Sequence, residues 1–76
     1  MIHVPDVDIR QHRPGYPETY YYVFEHLEEI VNDIAPRHDL SSATCFDVFE
    51  GELNAVIGLA KGSERFVLKI APIDDL

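Results

Sequence analysis

Phe46-Asp47-Val48-Phe49-Glu50-Gly51-Glu52-Leu53-Asn54-Ala55-Val56-Ile57-Gly58-Leu59-Ala60-Lys61-Gly62-Ser63-Glu64-Arg65-Phe66-Val67-Leu68-Lys69-Ile70-Ala71-Pro72 is the stretch that decides the fold. Here β-branched and aromatic residues are dense enough to build a sheet, and Gly51 and the Lys61-Gly62-Ser63 turn cut the run into pieces. The pieces predict three strands within 44–71, at about Thr44–Phe49, Leu53–Leu59 and Arg65–Ile70. Short turns between consecutive strands predict an antiparallel meander. Phe66, Leu68 and Ile70 alternate with Val67 and Lys69, so the third strand has one apolar face. Leu53, Ala55, Ile57 and Leu59 make the matching face of the second, with Asn54, Val56 and Gly58 turned away. The first strand admits two registers, one placing Phe46 and Val48 inward and the other Cys45, Asp47 and Phe49.

Upstream lies one helix, expected over 17–35. Pro17 suits its first position, where a missing N–H costs nothing, and Pro36 ends it. Tyr20, Val23, Phe24, Leu27, Ile30, Val31 and Ile34 recur at steps of three and four, which makes a single apolar stripe. That stripe needs a partner, and the apolar face of the sheet is the available one. The expected fold class is therefore α+β, one amphipathic helix packed on a three-stranded antiparallel meander. Residues 1–16, broken by Pro5 and Pro14 and without sustained period, read as an extended arm with a short strand at Ile2–Val4. His3, Asp6, Asp8 and His12 are ligand-type residues on this arm, but their spacing enforces no metal geometry. The end, Ile73 to Leu76, reads as frayed.

Seventy-six residues make one domain, 1–76, and a chain so short buries only about 60–65% of its unfolded surface. With 46% hydrophobic residues the composition is that of a globular protein. There is no apolar run long enough to span a membrane and no basic-then-apolar opening. The single Cys45 reads as a small apolar residue on a strand and favours a reducing, cytoplasmic setting.

Charge is the strongest global feature, at −8. Between Glu18 and Glu52 stand Glu18, Glu25, Glu28, Glu29, Asp33, Asp39, Asp47, Glu50 and Glu52, against the single base Arg37. Such a surface repels phosphate backbones, so direct nucleic-acid binding is not expected. It suits a basic groove on another protein instead. On the helix, Glu25, Glu28, Glu29 and Asp33 form a negative face expected to lack pairing bases. Within Tyr20-Tyr21-Tyr22, Tyr20 belongs to the stripe, and Tyr21 or Tyr22 is expected exposed as an aromatic anchor.

Helix, polar loop, strand, Gly51-x-x-Asn54-x-Val56, strand, turn and Phe66-Val67-Leu68-Lys69-Ile70 together resemble the amino-terminal lobe of the aminoglycoside phosphotransferase and homoserine-kinase-like enzymes. The resemblance covers about Tyr20 to Ile73. It implies a phosphate loop at Glu50-Gly51-Glu52-Leu53-Asn54 and a phosphate-contacting lysine at Lys69. Glu50 and Glu52 flank the loop's one glycine and would push a triphosphate away. The partner glutamate, catalytic aspartate and magnesium ligands of such an enzyme have no counterpart before Leu76. No kinase activity and no cofactor are expected. Size and charge also resemble small phage-borne inhibitors of bacterial defence, anti-CRISPR proteins among them. The leading expectation is thus a non-catalytic acidic inhibitor or nucleic-acid mimic on a basic protein surface, with a second copy of the chain as another partner. The alternative is a truncated kinase-like lobe that binds nucleotide through Gly51, Asn54 and Lys69 or complements a partner lobe.

Overall fold

The computed structural model describes residues 1–72. The fold is α+β: helices α1 (Ile9–His12), α2 (Glu18–Glu25) and α3 (Leu27–Ile34), a 3-10 turn at Ala35–His38, then strands β1 (Thr44–Glu50), β2 (Ala55–Lys61) and β3 (Glu64–Ile70). The strands form one antiparallel sheet in the order β1-β2-β3. Gly62, at φ 62°, supplies the left-handed residue of the tight β2–β3 turn.

One face of the sheet is buried under the helices. Ala55, Ile57 and Leu59 of β2 are almost fully covered there, together with Ile70 of β3. Against them pack Tyr20, Val23, Phe24, Leu27 and Val31, and half-buried Phe66 and Leu68 extend the layer. The strand registers predicted for the second and third strands hold from Ala55 onward. Leu53 does not join them: it is 61% exposed and precedes β2, so the apolar face of that strand begins two residues later than its pattern suggests.

The first strand takes neither predicted register throughout. Its pairing with β2 slips between Cys45 and Asp47, where an extra residue forms a bulge. Cys45 opposite Leu59 and Val48 opposite Ile57 face inward, while Phe46 and Phe49 are exposed on the far side. Phe46 lies across Gly58, where a Cβ would come within 2.6 Å of the ring. Gly58 is buried although it points away from the helices, because that ring covers it.

The single helix expected over 17–35 is two helices. His26, at φ −118° and ψ 23°, breaks the run, and Pro17 is the N-cap of α2 rather than its first helical residue. Neither proline nor glycine marks the break, so the stripe reads straight through it.

The arm also differs from expectation. It forms no strand at Ile2–Val4, yet Ile2, Val4 and Ile9 rank among the most buried side chains. Their spacing, two apart and then five, is that of an extended piece feeding a helical turn. Asn32 of α3 holds this piece: its Oδ1 accepts from Ile2 N–H at 2.7 Å, and its Nδ2 donates to the Ile2 carbonyl at 2.8 Å. Glu28 accepts from Val4 N–H at 2.8 Å. Two side chains thus give the arm the hydrogen bonds that a neighbouring strand would otherwise supply. The expected fraying of Ile73 to Leu76 lies outside the described residues.

Candidate functional site

The helical side was the expected docking surface, and its residues separate. Tyr21 is buried; its hydroxyl donates to the Arg13 carbonyl at 2.6 Å and accepts from Tyr16 N–H at 3.0 Å. It is a core residue, not an anchor. Tyr20 is buried as the stripe requires and donates to the Gly51 carbonyl at 2.7 Å, and burial raises its hydroxyl above the ordinary tyrosine value. Tyr22 is 59% exposed, its ring 4.2 Å from that of His26. Of the three, Tyr22 alone is placed to meet a partner.

Of the expected negative face, Glu25 and Asp33 have arginine partners, while among the described residues the only bases that Glu28 and Glu29 meet are histidines. Arg10, on α1, reaches both Glu18 and Glu25 at 2.8 Å. Hydrogen bonds from Arg10 hold both carboxyls below the usual glutamate range, and the same bonds raise the guanidinium further. Asp33 pairs with Arg37 one turn on at 3.0 Å, a four-residue pairing the sequence reading overlooked. Asp39 meets Lys61 and Glu50 meets both His12 and Arg13. Glu28 is occupied with the arm and with His3, and Glu29 lies 3.5 Å from His26. Among the described residues, the carboxylates left outside these contacts are Asp6 and Asp8 on the arm, Asp47 in the bulge, Glu52 in the loop and Glu64 at the hairpin. They sit on different elements and share no side. Among the described residues, no group of three His, Cys, Asp or Glu side chains is gathered for a metal ion.

The opposite face of the sheet carries no helix. Register places Phe46, Asp47, Phe49, Val56, Val67, Arg65 and Lys69 there: Phe49 pairs with Val56, Val56 with Lys69, and Asp47 with Gly58, which lies beneath Phe46 and pairs with Val67. Phe46, Phe49 and Val67 are 48%, 51% and 68% exposed. The Arg65 guanidinium lies 4.8 Å from the Phe46 ring centre. Four of the six basic side chains, Arg10, Arg13, Arg37 and Lys61, have carboxylate partners. Among the described residues Arg65 and Lys69 have none, and both stand on this open face. Exposed apolar side chains beside two cations that have no carboxylate partner among the described residues are unusual on a protein of net charge −8.

The residues implied by the phosphotransferase resemblance come to one end of the sheet. Asn54 leads into β2, and its second successor Val56 pairs with Lys69. The Asn54 side chain folds over Gly51 so closely that a Cβ there would collide with it. Glu50, expected to repel phosphate, is turned to the helical side by His12 at 2.7 Å and by Arg13, which also donates to its carbonyl at 2.9 Å. Glu52 remains exposed in the loop. Cys45 is half-buried on β1, and burial raises its thiol above the usual value.

Phe46, Phe49, Val67 and Arg65 were missed as site residues. The sequence clue was present in Phe46-Asp47-Val48-Phe49, whose two phenylalanines three apart cannot both face inward from a regular strand. No family model matches the chain, and no curated protein or solved structure matches it. No helix among the described residues is long and apolar enough to cross a membrane.

Proposed function

We propose that the protein is a small binding domain without catalytic activity of its own, which docks onto another protein through the open face of its sheet. One observation carries this reading: Arg65 and Lys69, which have no carboxylate partner among the described residues, share that face with exposed Phe46, Phe49 and Val67. Aromatic area beside arginine is the chemistry of protein interfaces, where a few such side chains dominate affinity. An acidic inhibitor acting through its helices would keep its carboxylates free of internal partners. Here Glu18, Glu25, Asp33, Asp39 and Glu50 hold partners within the chain, which favours the sheet over the helices as the docking surface. The favoured partner surface offers apolar groups and carboxylates. The lone half-buried thiol of Cys45 suits a reducing, cytoplasmic setting.

The test is affinity capture from cell extract with paired variants, read by quantitative mass spectrometry. Phe49→Glu and Val67→Glu change side chains already more than half exposed and leave the core intact. They are expected to reduce the captured partner by about tenfold or more, as interface anchors do. Glu29→Lys and Asp33→Lys, exposed on the helices and away from the sheet, are expected to leave it unchanged. Loss with the helical variants alone would restore the acidic-inhibitor reading.

A kinase-like lobe is the second reading, favoured by Lys69, Val56 and Phe49 lying side by side on the open face with Gly51 and Asn54 at the same end. Saturable heat on titration with ATP and magnesium, lost in Lys69→Ala, would favour it over protein docking.

A further inference from the structure

β3 is an edge strand. β2 flanks one side of it, and among the described residues no strand lies on the other. In an antiparallel pair, alternate residues spend their N–H and C=O groups on the neighbour, so about half of those of Glu64–Ile70 face outward. Such an edge is a template for another strand.

Two apolar hollows lie along this edge, one between the sheet and α3 with its following turn, the other between the end of β3 and α2 with Ile30 of α3. One, of about 370 Å³, is lined by Ile34, Leu40, Leu59, Phe66 and Leu68. The other, of about 490 Å³, is lined by Tyr22, Val23, Ile30, Ile70 and Pro72. Ile30 and Ile34 belong to the apolar stripe, yet both are only half-buried, because the sheet ends before it covers them. They are four residues apart on α3, about 6 Å along its axis. Alternate residues of a strand are about 6.6 Å apart. A strand added beside β3 would therefore set successive inward side chains over the two hollows.

The other side of the same added strand would meet different chemistry. Its outward residues would lie beside Arg65 and Lys69, which have no carboxylate partners among the described residues. We propose that the β3 edge is a docking site for an extended segment of a partner protein that alternates apolar with acidic residues, apolar side chains filling the hollows and carboxylates meeting Arg65 and Lys69. This rests on the binding-domain reading above and names the partner's chemistry. A second copy of the chain fits less well. The edge-to-edge register that aligns all of Glu64–Ile70, centred on Val67, sets Arg65 against Lys69 of the other copy, and like charges directly opposite are destabilising.

The probe is a dye-labelled heptapeptide alternating valine with glutamate, compared with its valine–lysine counterpart by fluorescence anisotropy and by amide shifts of the 15N-labelled full chain. The glutamate peptide is expected to bind about tenfold more tightly than the lysine peptide, from two cross-strand charge pairs. Its amide shifts should centre on Glu64–Ile70, Ile30 and Ile34. Methylating the peptide nitrogens that face β3 should abolish binding, and Arg65→Glu with Lys69→Glu should reverse the charge preference. The proposal is overturned by equal binding of the two peptides, by no saturation, by indifference to methylation, or by shifts centred on α1 and α2. Concentration-dependent β3 shifts without peptide would assign the edge to a second copy instead. If the peptide fails while Phe49→Glu still releases the captured partner, the binding-domain reading stands and only the edge mechanism falls.

Discussion

At the residue scale, the decisive side chains are those whose polar tip is satisfied far from where the sequence places it. Tyr21 and Tyr22 are chemically identical and adjacent, and nothing in composition separates them. The Arg13 carbonyl and the Tyr16 amide separate them, by capturing one hydroxyl inside. Removing that hydroxyl leaves two buried partners unsatisfied, so Tyr21→Phe is expected to lower stability by about 1–3 kcal/mol. Tyr22→Phe should stay within about 0.5 kcal/mol. Urea midpoints of the two variants, taken with a common slope, check the difference. Arg10 is the second such residue. It lies eight and fifteen positions from the carboxylates it binds, beyond the reach of any local spacing rule. Folding lowers the pKa of Glu18 and of Glu25, chiefly through those hydrogen bonds. A carboxyl shifted in that direction stabilises the fold fully above its unfolded value, about 4.3. The contribution disappears as pH falls through the lower folded value. The thermal midpoint of the wild type should therefore fall more steeply between about pH 5 and pH 3 than that of Arg10→Gln. Parallel acid limbs would contradict the clamp. The pairs are exposed, so the effect is small and diminishes with salt.

At the element scale, the meander was legible because alternation and turn residues agree over β2 and β3. The apolar stripe likewise predicted the helical layer but not the break at His26, since the break replaces no residue of the pattern. β1 was ambiguous for a physical reason: a bulge changes the parity of every residue beyond it, so a sequence containing one satisfies neither alternating register. The arm was misread because its irregular spacing was scored against periodic templates, while its anchoring comes from side chains on α3. Asn32→Ala tests that anchoring. It removes the groups that bind Ile2 N–H, the Ile2 carbonyl and the Glu28 carbonyl. A loss of about 1–3 kcal/mol is expected from leaving the arm's polar groups unpaired. Amide exchange at Ile2 should accelerate in step. Stability unchanged from wild type would mean that burial of Ile2 and Val4 alone holds the arm.

At the scale of the whole molecule, the sequence announces its charge but not where that charge is spent. Net −8 is a property of the chain; four of its six bases meet carboxylates on the helical side or beside the hairpin, while Arg65 and Lys69, without a carboxylate partner among the described residues, stand on the open face. The Asp33–Arg37 pair is local, but Arg10, Arg13 and Lys61 lie eight or more positions from the carboxylates they meet, and three-dimensional proximity is needed to reveal those. The candidate site was therefore partly readable, with Lys69 named and Phe46, Phe49, Arg65 and Val67 not. The most direct test is an amide-shift map of the 15N-labelled chain on addition of the partner it captures. The account predicts perturbation centred on Phe49, Val56, Val67 and Lys69, with Glu25, Glu28 and Glu29 unmoved. Shifts centred on Tyr22, Glu25, Glu28 and Glu29, with the sheet unmoved, would contradict it.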